Sequence, residues 1–325
     1  MEPSRSVFAP LLQALRFDGL WWRKFAYLGC VYGPEWWKRC SPPAIAAIIF
    51  ALIGRNRRGA IDNLQRILGD PDRRRAAREA LWMFAEFAHC MTETMEYYGP
   101  RPHAIRLDPP DHDPLAEALR ERRGAVVVTG HFGNWDIAAK TLRDYDRPIN
   151  IVMAREVNAT TQAYVRTARE QVGVQVLYSD TSVFSSINMI RALRANEIVA
   201  IQLDRMLGPG GARLIPFFGA PAPFPSGPFV LARLAGAPVV PVFIPRLGTR
   251  HYEIRVGQRY RIGRDARDHH VLDRVMTEVV AEFEAIVREF PTQWFQFTPF
   301  WPAEAPMEAA VPAREDPAPR RQVVR

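Results

Sequence analysis

From residue 104 onward the chain alternates between short apolar runs and stretches with helical spacing. The runs at Ala125–Thr129, Ile149–Met153, Val174–Tyr178, Ile198–Leu203, Pro238–Ile244 and Tyr252–Val256 have the length and β-branched content of buried strands. Between most of them lie helical stretches at Trp135–Arg143, Ala159–Gln171, Ser185–Arg194 and Pro228–Ala235, with a last helix over about His270–Phe290. Strands separated by helices predict an α/β fold with a mainly parallel central sheet flanked by helices.

The first hundred residues read as helices. Asp70-Pro71 supplies a start signal, with an N-cap and a proline at the first helical position. Leu81, Phe84, Phe87, Ala88, Met91 and Met95 then recur at helical spacing until Gly99-Pro100 stops the run. His89 on this helix reads as a packing residue. The tail from Ala303 is rich in Ala, Pro, Glu and Arg and is expected to be disordered. The expected divisions are residues 1–58, a basic and Trp-rich helical segment, residues 59–302, an α/β domain, and the tail 303–325.

Charge alters this picture at one end. The chain of 325 residues carries a net charge of +8, and residues 1–58 alone hold nine Lys/Arg against three acidic residues. The same segment holds four of the eight tryptophans, in "WWRK" (Trp21–Lys24) and "WWKR" (Trp36–Arg39). Tryptophan beside a cation suits a bilayer interface, and adjacent tryptophans cannot both face inward on a helix. The alternative is a basic helical face with tryptophans in the core. The longest apolar run, Ala44–Gly54, is too short for the roughly 20 residues of a span. A peripheral protein on an anionic, cytoplasmic membrane face is expected. No nucleic-acid motif accompanies the charge, so no nucleic-acid partner is expected. Three scattered cysteines give neither a disulfide framework nor a metal site.

The candidate chemistry sits in "VVVTGHFGNWDIAAK" (Val126–Lys140), where His131 follows a strand between Gly130 and Gly133. Ligands of open α/β sheets bind beyond the carboxyl ends of strands. The glycines leave room for close approach, and Asn134 can cap the following helix. Asp136 is the expected partner, brought back toward the ring by the turn. A carboxylate on one ring nitrogen leaves the other free as a general base. No G-x-S-x-G elbow surrounds Ser226, so the nucleophile is expected to come from the substrate as a hydroxyl.

The block "TGHFGNWDIA" resembles the signature of the bacterial lipid A biosynthesis acyltransferases, within the lysophospholipid-acyltransferase-like superfamily. The resemblance runs from about Arg57 to Trp294. It takes in "RGAIDNLQRILGD" (Arg58–Asp70), Arg169 in "RTAREQVGV", "AIQLDR" (Ala200–Arg205), the stretch Ile215–Arg246 and the closing "PTQWFQF". It implies an acyltransferase in which His131, aided by Asp136, deprotonates an acceptor hydroxyl that attacks an acyl carrier protein or coenzyme A thioester. Arg169 would bind an anionic or sugar group, and Asp204 would orient Arg169 or the acceptor. Gly133 and Asn134 would adjoin the substrate, and Arg205 with residues 207–213 would line the acceptor entrance. Alternatively, Arg169 is a surface charge and Asp204 a strand-end cap. No cofactor or metal is implied. The family usually carries glutamate at the position of Asp136 and often a clearer N-terminal span. The acceptor therefore stays open among a lipid A precursor, another glycolipid, a phosphoinositol-mannoside-like lipid and an acylated amino-acid lipid. A thioester hydrolase and a non-catalytic membrane-binding protein are the other classes.

Overall fold

The computed structural model describes residues 20–100, 102–137, 142, 145–154, 173–179, 183–205, 211–263 and 269–302. Four helices come first: α1 (Leu20–Tyr32), α2 (Glu35–Leu52), α3 (Gly54–Leu68) and α4 (Arg73–Tyr97). The cap of α4 is Asp72, whose side chain accepts from Arg74 N–H. Asp70, the expected cap, instead accepts from Asp72 N–H and braces the turn before it.

The remaining elements are β1 (Arg106–Asp108), α5 (Pro114–Arg120), β2 (Ala125–Thr129), β3 (Ile149–Ala154), β4 (Val174–Ser179), α6 (Val183–Arg194), β5 (Ile198–Gln202), β6 (Ala212–Phe217), β7 (Ala220–Pro225), α7 (Gly227–Ala235), β8 (Val239–Phe243), β9 (Arg246–Gly248), β10 (His251–Glu253), β11 (Arg255–Val256) and α8 (His269–Glu289). A 3-10 turn, Pro291–Gln293, follows α8. The central sheet has the order β11-β8-β2-β5-β3-β4 and is parallel except for the edge pair of β11 with β8. Its middle strands are apolar throughout, as strands covered on both faces require: β8 is buried at all five positions and β2 at its first four. The expected strand over Tyr252–Val256 is two strands. His251–Glu253 pairs with β1 and β9 in a three-stranded sheet, whereas Arg255–Val256 pairs with β8.

The hairpin β6–β7 has no counterpart among the expected strands. Pro216, Pro221, Pro223 and Pro225 interrupt the alternation by which a strand is recognised. Phe218 and Gly219 close it with φ of 48° and 74°, the paired positive angles of a two-residue hairpin turn. The expected helix over Ala159–Gln171 and the tail from Ala303 lie outside the described residues.

Helix α4 is joined to β9 and β10 by buried charge. Glu93 accepts from the Arg246 guanidinium, Arg250 N–H and the Tyr252 hydroxyl. One turn on, Glu96 takes Lys38 of α2 and the Arg250 side chain. Each acid is saturated by donors, which is what allows a charge to be buried there.

Candidate active site

Two parallel strands that pair in register place equal offsets beyond their ends side by side. Thr129 of β2 stands opposite Gln202 of β5, and the pairing continues as Leu203 N–H donates to Thr129 C=O at 2.7 Å. Two residues past each strand end lie His131 and Asp204. The His131 Nδ1 is 2.8 Å from Asp204 Oδ1, and the His131 backbone N–H donates to Oδ2 at 2.8 Å. One carboxylate thus grips the histidine by ring and by backbone. Gly130 leaves room for the Phe283 ring beneath this loop. A Cβ there would stand 2.6 Å from the Phe283 ring and 3.4 Å from Asp204 Oδ2.

The partner on Nδ1 is therefore Asp204, not Asp136. Asp136 lies in the helical turn 135–137, where its backbone C=O accepts from the Tyr98 hydroxyl. Asp204 orients His131, and Arg169, which it was expected to orient, lies outside the described residues. Asp204 is 2% exposed. Burial opposes its ionisation, but the His131 charge and the hydrogen bonds from His131 and Trp294 outweigh it and hold the carboxyl below the usual carboxylate range. An ionised carboxylate only accepts, so Nδ1 carries the proton and Nε2 presents its lone pair. The Trp135 ring packs edge-on against the imidazole at 5.2 Å between centroids.

Gly133 and Asn134 face the protein rather than a substrate. Gly133 has φ of 55°, and a Cβ would stand 2.0 Å from Ile244 O, so only glycine fits. Asn134 caps the turn through Ile137 N–H, as expected, while its side chain also bonds the Thr94 and Tyr252 hydroxyls and Cys90 C=O. With every polar atom engaged and the side chain buried, it holds α4 and β10 to the histidine loop. Arg205 is exposed at the strand rim. Arg169 and residues 207–210 lie outside the described residues.

Beside Trp135 an apolar cavity of about 70 Å³ opens between strand ends, lined by Thr129, Leu142, Met153, Ala200 and Gln202 among others. Glu35, Glu96 and His103 have the spacing of a cation site, but Lys38 Nζ and the Arg250 guanidinium already occupy it.

The segment Gln293–Phe295 completes the site, and in the sequence only the closing motif marks it. It runs antiparallel to His131–Gly133: Phe295 N–H donates to His131 C=O at 2.8 Å and Gly133 N–H to Gln293 C=O at 2.9 Å. Trp294 Nε1–H donates to Asp204 Oδ2 at 2.9 Å.

The description "bacterial lipid A biosynthesis acyltransferase" belongs to a family model that matches residues 6–302. The chain belongs to the bacterial lipid A biosynthesis acyltransferase family. Within reach of this family, it is similar to the phosphatidylinositol mannoside acyltransferase of Mycolicibacterium smegmatis, 28% identical over 61% of this chain and 64% of that protein. It is also similar to the Mycobacterium tuberculosis protein of the same name, 27% identical over 59% of each chain. The chain spans about three-fifths of the length of these relatives.

Proposed function

We propose that the protein transfers a fatty acyl chain from an acyl carrier protein or coenzyme A thioester to a hydroxyl of a sugar-bearing membrane lipid. The observation that carries this reading is the His131–Asp204 pair at the carboxyl ends of adjacent parallel strands. The acceptor O–H proton passes to His131 Nε2 as the oxygen attacks the thioester carbonyl carbon. The C–S bond then breaks, and the leaving thiolate takes the proton back from the imidazolium. Asp204 stabilises that imidazolium without itself being protonated. Ser226 is engaged elsewhere, its hydroxyl donating to Gly211 C=O, which agrees with a nucleophile supplied by the substrate.

The apolar cavity beside Trp135 suits the first carbons of an acyl chain, leaving its thioester at the imidazole. Among the acceptors left open by sequence, the relatives' name favours a phosphatidylinositol-mannoside-like lipid. The lipid substrates also call for a bilayer contact, and α2 supplies one. Lys38, Pro42 and Ala46 form its buried stripe, whereas Trp36 (64% exposed), Ile45, Ile48 and Leu52 (64%) face outward. Arg39, Arg55 and Arg58 are exposed nearby in sequence. Large apolar side chains turned outward, with cations beside them, fit an anionic membrane surface, here the cytoplasmic face of the inner membrane. Among the described residues no helix is long and apolar enough to cross a membrane.

His131→Ala tests the chemistry. With palmitoyl-CoA and detergent-solubilised phosphatidylinositol mannoside, the folded variant is expected to lose about 10²–10⁴-fold in kcat. Near-wild-type turnover would remove the general base. Thiol release by the wild-type protein at an undiminished rate without acceptor would make it a hydrolase.

A further inference from the structure

Asp204 has two oxygens and three donors. Oδ2 takes His131 N–H and the Trp294 indole N–H, which leaves Oδ1 to the imidazole. A terminal carboxyl torsion is soft, so one donor on Oδ2 would leave the group free to rock. The second donor is held from several sides. Trp294 is fully buried and its ring packs among Phe217, Phe283, Phe300 and Trp301. On one side Gln293 exchanges hydrogen bonds with the backbone N–H and C=O of Arg246, each at 2.7 Å. On the other, Asn63 of α3 donates to Gln296 and Thr298 C=O and accepts from Phe300 N–H. Gly59, one turn earlier, lets this strap lie against the helix, since a Cβ would stand 2.6 Å from Phe297 O.

We propose that Trp294 is a positioning residue for the acyl-transfer site: its indole N–H fixes the Asp204 carboxylate so that Oδ1 faces His131 Nδ1. An indole donates and cannot take a proton, so the carboxylate it holds stays an acceptor while the imidazolium forms. Asn63 and Gln293 act one step further out by holding the strap.

This inference rests on the general-base reading of His131, and its test separates the two. Trp294→Phe keeps a six-membered aromatic ring in the cluster and deletes the donor with the pyrrole ring. Trp301→Phe is the control, because Trp301 packs in the same cluster but donates to Phe217 C=O. A charge-assisted bond of this kind corresponds to a loss in kcat on the order of 10–100-fold in Trp294→Phe. KM for palmitoyl-CoA and phosphatidylinositol mannoside is expected to stay within about twofold. The acid limb of the pH–rate profile moves to higher pH, because a carboxylate with one fewer donor holds the imidazolium more strongly. Trp301→Phe shifts neither. Equal kcat and equal acid limbs in the two variants overturn the proposal. Should Trp294→Phe fail to fold, wild-type protein carrying 15N-tryptophan decides. The Trp294 Nε1 resonance is expected to move as pH crosses the acid limb, and a flat resonance overturns the proposal. That titration needs no substrate, so full activity of His131→Ala would remove the base reading while leaving the indole result to be read on its own.

Discussion

Asp204 grips His131, whereas Asp136 follows it in the next helical turn, so the two place different demands on a substitution. Asp204→Asn puts an amide where three donors converge: with its NH2 on the Oδ2 side it meets two fixed N–H groups, and on the Oδ1 side it makes Nδ1 the acceptor, which moves the proton to Nε2 and removes the base. Its kcat is expected to fall by about 10²–10⁴-fold, while Asp136→Asn stays within about tenfold. Measurement on folded protein of both variants checks this, and an equal loss in Asp136→Asn would bring the helical-turn carboxylate into the chemistry. His131 was legible in sequence because glycines and a strand end isolate it. Its partner was not, because sequence gives distance along the chain and the pair depends on which strands are neighbours. Strands β2 and β5 are separated by two others in the chain yet adjacent in the sheet. A trace of the answer was present: His131 and Asp204 each follow within two residues of an expected strand. Trp294 carried a weaker trace, a tryptophan in a closing motif with nothing local to mark what it touches.

At the scale of elements, strands and helices with clean periodicity were read to within a residue or two. Prolines hid β6 and β7, and the break at Ile254 hid the change of sheet. Helix α4 has a consequence for pH. Burial first, and the Arg246 charge second, push His89 down to about 4. The unfolded chain protonates it near 6.5. Between these values the unfolded state binds a proton that the folded state lacks, so stability falls as pH drops from about 6.5 toward 4. With solvent screening of a half-buried ring the loss is about 1–2 kcal/mol. Asp204, held low, keeps its contribution above about pH 4 and loses it only below that, so the two windows separate. Urea midpoints of wild type and His89→Gln between pH 7 and pH 4.5 check this. The variant is expected to flatten the slope, and identical slopes would remove His89 as its source.

At the scale of the whole molecule, the sequence pointed to paired tryptophans; the side chains of Trp21 and Trp22 lie outside the described ones, and the second pair is divided. Trp36 faces outward, while Trp37 is partly buried over Gly29 and Gly33. The outward face continues through Ile45, Ile48 and Leu52, and α4 adds Leu81 and Trp82. Exposed cations contribute roughly 1 kcal/mol each at an anionic surface, an amount that salt screens, while the apolar contribution persists. Binding to phosphatidylglycerol vesicles is therefore expected to weaken with salt without vanishing. The combined Trp36→Ser, Ile45→Ser, Ile48→Ser and Leu52→Ser variant should leave the vesicles yet largely retain transfer to a detergent-solubilised acceptor. Full sedimentation of that variant at low and high salt would place the bilayer contact elsewhere.

The strap through Trp294 also sets an order in time. A ribosome that has delivered the first 290 residues has released every strand of the sheet and both members of the His131–Asp204 pair. The donor that steadies their carboxylate, and the backbone that pairs with His131, are still inside the exit tunnel. On the acyl-transfer reading, a nascent chain can thus assemble its sheet while its centre is still slack. Competence is then expected only once residues 291–302 have closed over the pair, and a chain truncated after residue 290 is expected to lose acyl transfer.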